Sequence, residues 1–197
     1  IADEICLGKP LFWFDADELR QRIEGQRWVR GLLIRRDPPD RLSLVVEERK
    51  PILWLVRPSG VFLVSDDGIL LDPLSQANAL PMPVVADPGS QQEEALVQLI
   101  RVASSLRALV PNDFFHRVVE LRWTDSGPEA FLEGVKAPLR LSRVDPGRNV
   151  ANFQAIFLDD FANKERLAGV RYFDLRWEGE VAVGEADEAV PPKGLTR

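Results

Sequence analysis

Few side chains in this sequence belong to the types that carry catalysis. His116 is the only histidine and Cys6 is the only cysteine. A histidine-dependent catalytic triad, a metal site of several histidines, a thiolate metal cluster and an intrachain disulfide all lack residues that they require. The sequence also has no glycine-rich phosphate loop of the kind that holds nucleotides. We therefore expect no cofactor, no metal and no small-molecule substrate.

Two pairs of adjacent carboxylates remain as candidates for acid–base chemistry or Mg²⁺ binding. Asp66-Asp67 comes just before Gly68, a combination typical of a hairpin turn, where aspartate is favoured for its backbone geometry. Asp159-Asp160 falls in a predicted helix, where successive side chains point in different directions. These pairs are the basis of a hydrolase hypothesis, which an acidic pocket with shifted carboxylates would favour.

The composition limits the class of partner. The net charge of −6 and the pI of about 5.0 argue against nucleic-acid binding, because domains that bind nucleic acid are usually basic. The 45% hydrophobic and 28% charged residues are typical of a soluble globular protein. No apolar run approaches the roughly 20 residues that a membrane-spanning helix needs. The 197 residues suffice for one large domain or two small ones.

The elements that would position these side chains begin with a predicted β-hairpin. Leu42, Leu44 and Val46 recur with the period of two that is expected for a half-buried strand. Residues 31–35 have the composition of a second strand, and Pro38-Pro39-Asp40 between the two favours a turn.

Glu48 shares the parity of Leu44 and Val46, which puts a carboxylate at the end of the apolar face. Such a group needs a cation or water. We therefore predict that Glu48 forms a structural ion pair with Arg35, Arg36 or Arg49.

Local signals around this hairpin predict the order β-α-α-β-β. Residues 1–7 alternate as a strand does, Asp15 is a suitable N-cap for a helix that ends at Gly25, and residues 26–29 begin a second short helix. Residues 52–56 then finish or extend the third strand. The turn at residues 57–60 is the predicted junction between two domains.

The second part of the sequence has both helical and strand periodicity. The clearest helix covers residues 93–110, and a second long helix carries Val150, Phe153, Phe157 and Phe161 on its apolar face. The predicted strands cover residues 61–64, 69–71, 118–124, 129–133, 138–143, 170–177 and 180–184.

Three separated motifs resemble the FtsQ/DivIB family of bacterial cell-division proteins. The hairpin is similar to the strand pair of that family's POTRA domain, and the later motifs fall in the family's order. The matching residues are Ile34-x-Arg36-x-Pro38, then Leu42-x-Leu44-x-Val46-x-Glu48-Arg49-x-Pro51, then Leu80-Pro81-x-Pro83-Val84, and finally Tyr172-Phe173-Asp174-Leu175-Arg176-Trp177.

The resemblance implies an α+β fold. A small POTRA domain of β-α-α-β-β order at residues 1–57 would precede a larger domain at residues 58–184, which has a mixed or antiparallel sheet and two long helices. Residues 185–197 are acidic and proline-rich, and we predict a disordered tail. Within the POTRA motif, the resemblance gives a structural role to Arg36, Pro38, Glu48, Arg49 and Pro51.

The function implied is that of a division scaffold without enzymatic activity. Because the chain begins at Ile1 rather than Met, we expect an upstream piece, which in this family is a short cytoplasmic tail and one transmembrane helix. The protein would then be a single-pass protein of the cell inner membrane, with this part on the periplasmic side.

The expected partners are FtsB-like and FtsL-like division proteins, bound by strand addition. A last strand with no later element to pair with leaves one edge of N–H and C=O groups open. The strand at residues 172–177 and its return through Val183 form the predicted site, with exposed Trp177 as the anchor. The predicted partner-binding residues are Tyr172, Asp174, Arg176, Trp177, Glu178, Gly179 and Val181.

Two other functions stay open at this point. A POTRA-bearing subunit of an outer-membrane assembly or secretion machine would usually carry several POTRA domains or a long barrel pattern, and neither is visible. A hydrolase would use the acidic pairs. An open edge strand without an acidic pocket would favour the scaffold.

Overall fold

The computed structural model describes residues 15–75, 80–87, 93–158 and 169–185, together with Gly8 and Trp13. Within these residues the fold is a mixed α+β fold, as predicted, with one sheet of two strands and one of nine. The predicted first strand at residues 1–7 lies outside the described residues.

A short amphipathic helix begins the described part of the first domain. Helix α1 (Ala16–Glu24) starts because a carboxylate oxygen of Asp15 accepts hydrogen bonds from two backbone N–H groups of its first turn, at 2.9 and 3.0 Å. Leu19 and Ile23 of α1 are buried and share a small core with Val29.

The predicted hairpin is confirmed by strands β1 (Val29–Asp37) and β2 (Arg41–Glu48), which pair antiparallel. The inward side chains of the hairpin pack on α1, namely Leu32, Ile34, Leu42 and Leu44. Arg36 lies in β1 opposite Leu42, and Pro38 lies in the turn that joins the strands.

The predicted second helix at residues 26–29 is wrong. The backbone N–H of Val29 donates to the carbonyl of Gln26 at 2.9 Å, which closes a single turn, and β1 begins at Val29 itself. Val29 is β-branched and buried in the small core, and both properties favour the strand.

Strand β3 (Pro51–Arg57) belongs to the nine-stranded sheet rather than to the hairpin. It pairs antiparallel with β4 (Gly60–Ser65) and parallel with β6 (Val84–Ala86). Residues 52–55 are all buried, which is the pattern of a central strand covered on both faces. The assignment of residues 52–56 to the third strand of the first domain is therefore wrong. We propose that the domains meet at residues 49–50 rather than at residues 57–60.

The nine strands lie in the order β11-β10-β9-β8-β7-β6-β3-β4-β5. Parallel pairing occurs between β3 and β6, β6 and β7, and β9 and β10, and the other neighbours are antiparallel. The sheet is therefore mixed. The remaining strands are β5 (Leu70–Pro73), β7 (Val118–Thr124), β8 (Gly127–Leu132), β9 (Leu139–Arg140), β10 (Val170–Asp174) and β11 (Ala182–Glu185).

Helices pack against this sheet around one large core. Helix α2 (Glu93–Leu109) confirms the clearest sequence prediction and buries Leu99, Ala103 and Leu106, and the short helix α3 (Asn112–Arg117) follows it. Helix α4 (Val150–Phe153) continues as a π-helix over Gln154–Leu158. The rest of the predicted second long helix, with Phe161 and Asp159-Asp160, lies outside the described residues, as does the predicted tail beyond Glu185.

Candidate functional site

The candidate site is the β10–β11 hairpin at one end of the nine-stranded sheet. Strand β10 pairs with β9 on one side and with β11 on the other, and among the described strands β11 is the last. The sequence placed residues 172–177 on the binding strand. In the structure, β10 ends at Asp174 and is paired on both sides, so the edge is β11.

The backbone contacts of β10 show which groups of β11 face outward. Phe173 donates its N–H to the carbonyl of Pro138 at 2.9 Å, and Leu175 donates to Arg140 at 3.0 Å, so both residues direct their backbone groups toward β9. Phe173 lies opposite Val183. In an antiparallel ladder, opposite residues alternate between pairs that exchange two hydrogen bonds and pairs that exchange none. Because the backbone groups of Phe173 point toward β9, the pair of Phe173 and Val183 is of the second kind. The N–H and C=O of Val183 therefore point away from β10, toward the outer edge.

The turn between the two strands carries an exposed aromatic side chain. Trp177 is 60% exposed, as predicted. Glu178 and Gly179 are also exposed, and Gly179 has a φ of 74°, which glycine adopts without strain. Val181 is half-buried and packs against the large core. The turn thus fixes its last residue in the core and presents Trp177 to solvent.

Asp174 and Arg176 bind each other and do not extend toward solvent as free groups. Asp174 is 4% exposed, and its carboxylate accepts hydrogen bonds from Nε of Arg176 at 2.8 Å and Nη2 at 2.5 Å. Nη1 of Arg176 donates to the carbonyl of Ser126 at 3.0 Å. Burial raises the pKa of Asp174, but the hydrogen bonds from Arg176 outweigh it and hold the pKa below its ordinary value. This pair ties the turn to the neighbouring β7–β8 connection.

The side chain of Tyr172, on β10, extends over the backbone of the edge strand β11. Its ring packs under the guanidinium of Arg140, at 3.5 Å from the ring centroid, and Arg140 also binds Glu129 at 3.3 Å. A Cβ atom added to Gly184 would overlap the Tyr172 ring. Gly184 therefore permits the aromatic ring of β10 to cover the backbone of β11.

The sequence predicted Val183 only as part of the return strand, and it gave no role to Asn149. No local signal could show that the backbone groups of Val183 point outward, because that direction depends on the pairing of β10 with β9. The side-chain amide of Asn149 donates to the carbonyls of Leu175 at 3.1 Å and Glu180 at 2.9 Å, and also to that of Trp177. An asparagine before a predicted helix is common, so its type alone gave no signal.

The second cluster of charged side chains lies where the two domains meet. Nε of Arg49 donates to Asp67 at 2.9 Å, and its Nη1 donates to the carbonyls of Arg27, at 3.0 Å, and Val29. Burial raises the pKa of Asp67, but hydrogen bonds from Ser65 and Arg49 outweigh it and keep the pKa below its ordinary value. Arg49 thus links the end of the hairpin to the β4–β5 turn.

The acidic pair in that turn is held by arginines. Arg30 binds Asp66 directly and approaches Asp67 at 3.6 Å. Asp66 lies 29% exposed and Asp67 34% exposed by side chain, in a turn rather than in a pocket. The pair serves the domain junction, and its geometry does not favour the hydrolase hypothesis.

The prediction that an arginine holds Glu48 is wrong. Glu48 is exposed, and none of the described arginines forms an ion pair with it. Helix α1 covers the hairpin only as far as Leu44, since Val46 is 43% exposed, so the end of the strand meets water. Pro51 begins β3, and its carbonyl accepts a hydrogen bond from Arg107 at 2.6 Å.

The described residues contain no group of three histidine, cysteine or carboxylate side chains that could hold a metal ion. Within the same part of the chain, no helix is long and apolar enough to cross a membrane. His116 is exposed at the end of α3, beside the ring of Phe115 at 6.4 Å between centroids.

Two family models match the chain in sequence. The model for "POTRA domain, FtsQ-type" matches residues 3–49, and the model for "Cell division protein FtsQ/DivIB, C-terminal" matches residues 52–176. The two matches meet at residues 49–52, which agrees with the membership of β3 in the larger sheet. Residues 177–185, with Trp177 and β11, follow the end of the second match.

Individual relatives cover most of the chain. Cell division protein FtsQ of Caulobacter vibrioides is 26% identical over 192 residues, which are 96% of this chain and 60% of that protein. The FtsQ proteins of Haemophilus influenzae and Syntrophotalea carbinolica are 26% and 30% identical, over 89% and 87% of this chain and 66% and 62% of their own lengths. The chain thus spans about 60% of the length of the Caulobacter relative.

Proposed function

We propose a scaffold function for this chain, which belongs to the FtsQ/DivIB family of bacterial cell-division proteins. In this proposal the chain has no catalytic role and acts by binding other division proteins outside the cytoplasm. An upstream helix anchors it in the inner membrane, and both described domains lie on the periplasmic side. Asp66 and Asp67 form ion pairs with arginines, which supports a binding role over a hydrolase. The match of residues 52–176 supports a division protein over an outer-membrane machine.

The observation that carries the proposal is the outward direction of the backbone groups of Val183 on an edge strand. An extended segment of an FtsB-like protein would pair with β11 and satisfy these groups. Each backbone hydrogen bond contributes only about 0.5 to 1.5 kcal/mol net. Affinity and specificity therefore also require side-chain anchors.

Trp177 is the anchor that we propose. Its exposed indole lies in the turn immediately before β11, where it can contact a strand that pairs with that edge. Tryptophan is enriched among the residues that dominate binding energy, and truncation of such a residue costs about 2 kcal/mol or more. Tyr172 supports the edge from the neighbouring strand, and Asp174 and Arg176 hold the turn in place.

The experiment titrates the extracytoplasmic segment of the FtsB-like protein from the same bacterium against this chain. Val183→Pro removes the outward N–H without removing a β10–β11 hydrogen bond, whereas Val183→Ala leaves the backbone intact. We expect Val183→Pro to weaken binding about tenfold, near the upper value for one hydrogen bond, and Val183→Ala to weaken it less than about threefold. Circular dichroism checks that each variant is folded.

The anchor is tested with a second matched pair. Trp177→Ala should weaken binding by about thirtyfold, which corresponds to about 2 kcal/mol. Trp13→Ala removes another exposed indole, 83% exposed, from the first domain and should leave binding unchanged. Wild-type affinity in a folded Val183→Pro protein would refute strand addition at β11. Wild-type affinity in a folded Trp177→Ala protein would remove the anchor.

A further inference from the structure

The turn that presents Trp177 is held by one side chain that lies outside the β10–β11 hairpin. The amide nitrogen Nδ2 of Asn149 lies within hydrogen-bond distance of the carbonyl oxygens of Leu175, Trp177 and Glu180. These three carbonyls span the whole connection between β10 and β11. A single donor group therefore joins both ends of the turn and the anchor residue itself.

Asn149 is itself fixed by its place in the fold. It has a φ of 58° and a ψ of 8°, in the left-handed region that asparagine tolerates better than most residues. The next residue, Val150, is 1% exposed and begins α4, whose Phe153 packs on Phe173 of β10 at 5.0 Å. Arg148 adds a long hydrogen bond to the carbonyl of Arg176 at 3.5 Å. The amide is thus held by a packed helix and directed at the turn.

We infer that Asn149 is a positioning residue for partner binding, which keeps the turn in the conformation that presents Trp177 beside β11. This inference depends on the proposed function, because it assigns a role within the same site. The amide is engaged with the turn, so it acts through the turn rather than on the partner. Without the amide, the turn would have to be ordered when the partner binds, and that ordering reduces affinity.

Two substitutions test the contribution of the Asn149 amide while they keep the backbone conformation of that residue. Asn149→Gly accepts a positive φ and removes the donor. Asn149→Asp also tolerates this conformation and has nearly the same size, but it places acceptor oxygens against three carbonyl oxygens. We expect Asn149→Gly to weaken binding of the FtsB-like segment about tenfold, and Asn149→Asp to weaken it further. Gln21→Ala removes an exposed side-chain amide from α1, in the first domain, and should bind as the wild type does.

A double-mutant cycle distinguishes positioning from a general loss of structure. If Asn149 acts through Trp177, Asn149→Gly should reduce binding in the wild-type chain and should add less than about twofold in the Trp177→Ala chain. Amide hydrogen exchange of residues 177–181 should become faster in Asn149→Gly, while exchange in α2 stays the same. A general structural defect would lower affinity by the same factor in both backgrounds.

The outcomes separate the two proposals. Absence of binding by the wild-type chain would refute the proposed function, and with it the role of Asn149 in binding. Binding by the wild-type chain together with wild-type affinity of Asn149→Gly would refute only the positioning role. Additive losses in the cycle would also refute it, since Asn149 would then act independently of Trp177.

Discussion

The two edges of the nine-stranded sheet differ in what lies against them. At β5, the carbonyl of Leu71 accepts a hydrogen bond from Arg27 at 3.4 Å, and the carboxylate of Asp72 accepts one from Nε1 of Trp28 at 2.8 Å. The first domain therefore packs against this edge. At β11, no strand of the described part of the chain pairs with the outer side. One edge is covered by the first domain, and the other is the edge at which we propose that a partner binds.

This difference matters for the proposed scaffold function. Unpaired strand edges promote association with other chains, including copies of the same protein. Within the described part of the nine-stranded sheet, covering β5 with the first domain leaves β11 as the edge open to association. Tryptophan occurs at both ends but with different roles, because Trp28 is half-buried in a contact between domains whereas Trp177 is 60% exposed.

The largest expected effect on stability comes from a buried residue of β10, the strand next to the open edge. Phe173 is fully buried, and its ring lies 5.0 Å from that of Phe153 and 4.8 Å from that of Phe157. Phe173→Ala should lower the free energy of unfolding by about 3 to 5 kcal/mol, measured by urea denaturation, and should abolish partner binding. Phe131→Ala, which truncates a half-buried ring on β8, is the control and should cost clearly less. A loss below about 1 kcal/mol for Phe173→Ala would show that the large core does not anchor β10.

The next effect concerns the covered edge. Arg49→Ala removes the contacts of one guanidinium with Asp67 and with the carbonyls of Arg27 and Val29. Because the side chain is 18% exposed, we expect a cost of about 2 kcal/mol, below that of a fully buried ion pair. Arg49→Lys should recover only part of it, since an ammonium cannot reach all three acceptors in the same way. Partner binding at β11 should not change, and a clear loss of binding would mean that the two edges are coupled.

A smaller effect depends on pH. The pKa of Asp174 is lower in the folded chain than its ordinary value of 3.8, so the folded state favours the ionised form. Its contribution is complete above that ordinary value and is lost as the pH falls through the lower, folded pKa. Asp174→Asn should cost about 1.5 kcal/mol at pH 7, since hydrogen bonds to a charged group are lost, and the difference from wild type should shrink in acid. Unfolding curves between pH 7 and pH 2.5 measure this, and a cost that does not change with pH would exclude the charge as its cause.

Local sequence signals predicted the elements whose formation depends on nearby residues. The hairpin β1–β2 followed from alternation and a proline turn, and α2 followed from its helical period and the proline after it. The placement of β3 failed for a physical reason. A strand with four consecutive buried residues has no polar face, so its pattern does not indicate which sheet it joins.

Parity and residue type also have limits at the two sites. The alternation of β2 places Glu48 on the same face of the strand as Leu44. Whether that face is buried at Glu48 depends on how far α1 reaches along the hairpin. Asn149 contacts carbonyls 26 to 31 residues away, and only the packing of α4 on β10 brings them together. Exposure of Trp177 could be predicted because it lies near the end of the last regular segment.

The smallest expected effect compares the two tryptophans directly. Trp28→Phe keeps an aromatic ring in the cluster with Trp54 and Leu63 but removes the N–H that Asp72 accepts. We expect a loss of about 1 kcal/mol in the free energy of unfolding, which is the usual net value of one hydrogen bond, and no change in partner affinity. Trp177→Phe should show the opposite result. Its exposed position makes the stability change smaller than about 0.5 kcal/mol, whereas the smaller ring should weaken binding by several-fold. Urea denaturation and titration of both variants provide the four values. If Trp28→Phe lowered affinity as much as Trp177→Phe does, the covered edge would also take part in binding, and the contrast between the edges would be wrong.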